Sequence, residues 1–149
     1  MDEEMIKRWN ETVKKGDTVF HLGDFGLGSV ESLAKILERL NGDIRFLMGS
    51  HDSQLKELEK QGLAEILGFQ FTLNHEGKKV TMNHCSMRVW PASHYNSWHL
   101  FSHSHNKLES FGKSFDVGVD GHSFYPWTWE QVCMRMDALP DNFNLVKRT

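Results

Sequence analysis

Two histidines at i and i+2, His103 and His105, close an apolar, aromatic run, Trp98-His99-Leu100-Phe101. On an extended segment such residues share one face, and where a strand ends the chain can curl and aim both imidazoles at one point. Imidazole is the commonest protein ligand for transition metals at neutral pH. Three more apolar runs end in groups of the same kind. Thr18-Val19-Phe20-His21-Leu22 leads into Gly23-Asp24, Ile44–Met48 into Gly49-Ser50-His51-Asp52, and Lys78–Asn83 into His84. Asp24 with His84, His103 and His105, one carboxylate plus three histidines, suits a divalent transition metal, with carboxylate able to bridge two ions. Each group has a plainer reading by itself. Asp24 after glycine is a common turn residue, and residues 50–53 can simply cap a helix. His84 beside Cys85 does not make a nucleophile pair, because strand neighbours point to opposite faces.

Positioning these groups requires a layered fold. Residues 2–15 carry the apolar stripe Met5, Ile6, Trp9 and Val13 of an amphipathic helix, which Asp2 can cap. A strand over 18–22 and a glycine-rich loop follow. Ser29 then caps a helix with the stripe Val30, Leu33, Ile36, Leu37 and Leu40. Strand, loop and helix repeat over 44–61. This order predicts an α/β domain with its chemistry in loops at the carboxyl ends of strands. After residue 68 the period changes to that of strands. A hairpin is predicted around Asn74-His75-Glu76-Gly77, strands at 98–101 and 114–120, and a last helix at Trp129–Met136 behind a Thr128/Gln131 capping box. The expected organisation is one domain over residues 1–149, with 137–149 as a loosely packed tail.

Composition narrows the function classes. A chain of 149 residues with 39% hydrophobic and 25% charged residues can bury a core as one domain. The net charge of -3 argues against a broad basic surface, so nucleic acid is not the favoured partner. No apolar run approaches a membrane span, and the acidic start lacks the order of a signal peptide. Two cysteines, Cys85 and Cys133, make no disulfide framework, which predicts a cytoplasmic protein with reduced thiols. The five tryptophans are read as core rather than as a base-stacking platform.

The blocks Gly16-Asp17-Thr18-Val19-Phe20-His21-Leu22-Gly23-Asp24, Gly49-Ser50-His51-Asp52, His84, Ser102-His103-Ser104-His105 and Asp116-Val117-Gly118-Val119-Asp120 stand in an order that resembles the calcineurin-like metallophosphoesterases, closest to small bacterial and phage-type members. The resemblance spans most of residues 5–132. It implies a β-sandwich flanked by helices and a site for one or two divalent ions of the Mn, Fe, Zn or Ni class. It further implies that Asp24 bridges two ions, that His84 and His103 bind one with Ser50 in the place of the family's asparagine, and that His105 binds the other. His51 would assist the leaving group and Asp52 would orient it.

Three departures accompany the resemblance. The family's opening Asp-x-His strand has no counterpart ahead of Thr18, so the sheet is expected to lack its first strand and one ion to keep only Asp24 and His105. Ser50 replaces asparagine, and Ser102 replaces a glycine. The expected function is metal-dependent hydrolysis of a phosphomonoester or phosphodiester, on a small phosphate ester or nucleotide. The alternative is an impaired or inactive member, or an N-terminally truncated fragment, serving as a metal-binding or interaction module. A sheet edge bared by the missing strand would favour a homodimer.

Overall fold

A computed structural model describes residues 1–147 as four α-helices and seven strands in two sheets. The C-terminal end of the expected tail, residues 148–149, lies outside the described residues. The first sheet is parallel, in the order β1 (Thr18–His21), β2 (Asp43–Leu47), β3 (Glu65–Gly68). The second runs β4 (Gln70–His75), β5 (Lys78–Asn83), β6 (Trp98–Phe101), β7 (Ser114–Asp116), antiparallel at β4–β5 and parallel thereafter. The helices are α1 (Glu3–Thr12), α2 (Val30–Arg39), α3 (Ser53–Lys60) and α4 (Trp129–Asp137).

Local chemistry sets most boundaries. Asp2 accepts from the Met5 amide, Ser29 from the Ser32 amide, and Thr128 with Gln131 forms a full capping box. The β4–β5 turn places Glu76 at φ 49° and Gly77 at φ 76°, the left-handed pair that a two-residue hairpin needs. Alternation along the strands then divides the interior in two. Phe46 joins Ile6, Trp9, Leu33, Leu55 and Leu58 under α1–α3. Its neighbour Leu47 joins Val80, Met82, Trp98, Leu100, Phe115, Val132 and Met136 in a second core shared by both sheets and α4. Parallel neighbours bring the carboxyl ends of β1 and β2, and of β5 and β6, to common edges, which is where the candidate ligands follow.

The fold departs from expectation in three places. The four-residue β3 was not expected after α3. The strand expected over 114–120 ends at Asp116, and residues 119–121 form a 3-10 turn instead. The described part of the tail is pinned rather than loose. Buried Asn142 donates to the Ser93 and Ser97 carbonyls and accepts from the Lys113 amide, while the Val146 amide bonds the His94 carbonyl. A buried side-chain amide thus satisfies backbone groups on two other segments, while Leu139 packs against the second core and Phe143 against Phe111. Among the described residues no helix is long and apolar enough to cross a membrane.

Candidate metal centre

Asp24, His84 and His103 converge. Each offers one donor atom, and the three atoms lie within 4.8 Å of one another. His84 Nε2 stands 3.2 Å from Asp24 Oδ2 and 2.9 Å from His103 Nδ1. His84 is buried, whereas the Asp24 side chain is 31% exposed and His103 faces solvent, so the cluster opens outward from a buried base.

Each candidate ligand is held by a different element. His84 Nδ1 lies 2.8 Å from the Leu22 carbonyl oxygen, an acceptor only, so that nitrogen carries a proton and, in the neutral imidazole, Nε2 turns a lone pair to the cluster. Ser102 Oγ donates to the same carbonyl at 3.2 Å and serves as a further tie between strand ends. His103 is placed by its backbone: the amides of Ser102 and His103 both donate to the His84 carbonyl, at 3.0 and 2.8 Å. Asp24 adopts φ 56°, a left-handed conformation that aspartate tolerates better than most residues. Its Oδ1 accepts from the His51 amide at 2.9 Å, leaving Oδ2 toward His84.

Two glycines make the approach possible. A Cβ at Gly23 would stand 2.6 Å from His84 Nδ1 and 2.7 Å from Gly49 Cα, and a Cβ at Gly49 would stand 2.5 Å from Asp24 Oδ1. The loops after β1 and β2 therefore meet backbone to backbone beneath the cluster.

The donor set fits a divalent ion. Bonds of about 2.1 Å to nitrogen and oxygen put neighbouring ligands about 3.0–3.4 Å apart in octahedral or tetrahedral arrangement, and the two separations around His84 Nε2 fall at or near that range. Asp24 Oδ2 and His84 Nε2 both face the cluster as acceptors, the His84 proton being committed to Leu22.

The other sequence-predicted residues are placed differently. His51 projects its ring to solvent from the turn beside Asp24, and Ser50 is exposed next to it. Asp52, expected to orient His51, is only 3% exposed and turns both oxygens to the backbone amides of Asp24, Phe25 and Gly49. His105 leaves the cluster. At φ 48° its ring reaches Asp120, with Nδ1 2.9 Å from Oδ2. Asp116, quoted above within a block but given no role, is buried and accepts from the Asn106 and Gly118 amides, fixing the loop behind His103. Its position at the end of β7, opposite the His-x-His loop in the parallel register, was the available signal.

His21 lies beneath the site, packed against the Phe25 and Phe46 rings. Burial pushes its imidazole down to about 4; Asp52 and Asp24 oppose that shift and His84 adds to it. Burial likewise lowers His99, opposed by its bond to the Thr81 carbonyl. An unfolded histidine titrates near 6.5, so between pH 6.5 and about 4 the unfolded chain binds a proton that the native His21 refuses. Stability is expected to fall as pH drops through that window, by about 3 kcal/mol if the whole shift is realised. Urea midpoints against pH check this: His21→Asn, which keeps an acceptor for the Gly23 amide, should flatten the decline, and an unchanged slope would refute the assignment.

No protein-family model matches the chain. A crystal structure of AQ665, a protein of unknown function from Aquifex aeolicus, superposes with a TM-score of 0.68 at 19% identity, covering 89% of this chain and 83% of that one, which is a likeness of fold. The uncharacterized protein MJ1445 of Methanocaldococcus jannaschii is 31% identical over 136 residues, 85% of this chain and 69% of its own length. At that identity and coverage the chain belongs to the same family as MJ1445.

Proposed function

We propose that the chain is a metallophosphoesterase-type domain that holds one divalent transition-metal ion at Asp24, His84 and His103 and hydrolyses a phosphate ester. The observation that carries the reading is the pair of short separations around His84 Nε2, 2.9 Å to His103 and 3.2 Å to Asp24, with the His84 proton turned away to Leu22. Support for the sandwich form of the fold comes from the core shared by both sheets and from the chain order, in which Asp24, His51, His84 and His103 each follow a strand.

When bound, the ion would polarise a phosphoryl oxygen and lower the pKa of a coordinated water. The chain's own residues do the rest. Asp24 offsets the ion's charge, and its second oxygen stays tied to the His51 amide. His84 offers Nε2 from a buried base, with Nδ1 committed to the Leu22 carbonyl. The exposed His51 ring, one turn from Asp24, is the group available to protonate a leaving oxygen. The open side of the cluster admits a small phosphate ester.

A second reading is favoured by one observation. His105, the ligand that the resemblance gives to a second ion, is paired with Asp120. A site reduced to one ion lacks the two-ion clamp, and the chain would then bind metal without appreciable turnover. Hydrolysis of p-nitrophenyl phosphate and bis(p-nitrophenyl) phosphate, with manganese or with chelator, separates the two. The first reading expects turnover that needs the ion and is lost in His103→Ala. Metal uptake without turnover under manganese, iron, nickel and zinc alike would leave the second.

A further inference from the structure

We propose that Asp52 is a positioning residue of the metal centre, acting through Asp24 rather than on substrate or on the His51 ring. The inference rests on the metal-binding reading above. Asp52 directly precedes α3, yet its side chain makes no capping hydrogen bond to that helix. Its carboxylate instead reaches across to the loop after β1. Oδ2 accepts from the Asp24 amide at 2.6 Å and from the Gly49 amide at 2.8 Å, and Oδ1 accepts from the Phe25 amide at 2.9 Å. Three charge-assisted bonds offset the cost of a carboxylate that is only 3% exposed.

The arrangement is reciprocal. Asp52 holds the backbone of Asp24, and the side chain of Asp24 holds the backbone of His51, next to Asp52. Asp24 needs such support, because a non-glycine residue in the left-handed region persists only where its surroundings over-determine it. Released, Asp24 would relax toward ordinary φ and swing Oδ2 away from His84 Nε2. The carboxylate of Asp52 thus sets the direction of a ligand while giving no atom to the ion.

The test compares Asp52→Asn with Val13→Ala, a core truncation on the helix side of the first sheet, at the end where β1 begins. An asparagine keeps the volume but presents an amide NH2 to backbone N–H groups. Manganese affinity is titrated at a temperature where circular dichroism shows every variant folded. Asp52→Asn should bind about 10–100-fold more weakly, the usual cost of losing a ligand's supporting partner, and Val13→Ala should bind as the wild type does. Equal affinity in Asp52→Asn, or an equal loss in Val13→Ala, would overturn the proposal. If Asp52→Asn does not fold, Asp52→Glu, which keeps the charge but displaces it by a methylene, is read by the same criteria. A wild type that binds no manganese defeats the metal reading instead. Amide exchange then decides the role of Asp52: selective loss of protection at Asp24, Phe25 and Gly49 in the Asp52 variant supports it, and unchanged protection refutes it.

Discussion

Asp24→Asn is expected to remove divalent-metal binding while leaving the protein at least as stable as the wild type. The asparagine carbonyl can replace Oδ1 as acceptor for the His51 amide, and its NH2 then points at His84 Nε2, 3.2 Å away in the native geometry. What was an acceptor facing an acceptor becomes a donor facing an acceptor, so the cluster closes on itself with a hydrogen bond. The charge that would draw a cation is gone at the same step. Loss of an outer partner of a metal ligand commonly costs about 10–100-fold in affinity, and loss of a charged ligand should cost about 100-fold or more. Isothermal titration with manganese and a thermal melt read the two effects separately. A variant that binds manganese as tightly as the wild type would remove Asp24 from the site.

Gly23→Ala should be strongly destabilising. Gly23 sits at φ 104°, where an L side chain is strained whatever the space, and the added Cβ would meet His84 Nδ1 at 2.6 Å and Gly49 at 2.7 and 2.8 Å. Two of those three atoms are backbone and cannot rotate aside, so relief requires parting the β1 and β2 loops, which also parts Asp24 from His84. The expected cost is about 3 kcal/mol or more in urea denaturation, from backbone strain and overpacking together. Gly16→Ala provides the comparison. Gly16 has φ 92° but open space around its Cβ position, so it isolates the strain at about 1 kcal/mol. Equal effects at the two positions would mean that the close approach at Gly23 is not rigid.

The candidate ligands at strand ends were legible because the pattern around them is regular. β-Branched and aromatic runs stop at Gly23-Asp24, at Gly49 and before His84, and a strand's end is where a side chain can leave the sheet. The helix starts were legible for the same local reason, since Asp2, Ser29 and Thr128 cap within three residues of themselves. What depended on distant contacts was not. β3 has only four residues and ends in Gly68, too short for periodicity to declare it. The role of Asp52 depends on a loop 27 and 28 residues earlier in the chain. The direction of His105 is set by a left-handed turn and by Asp120, so its i, i+2 spacing from His103 misleads. Asn142 reads as a polar tail residue, and only the fold supplies the carbonyls that justify burying it.

If Asp24, His84 and His103 together hold one divalent ion, the metal-to-protein ratio reports it. The protein is reconstituted with manganese, desalted, and measured by elemental mass spectrometry beside Asp24→Asn. One ion per wild-type chain and none in the variant is the expected result. A wild-type ratio of zero, or a ratio that Asp24→Asn leaves unchanged, would contradict it.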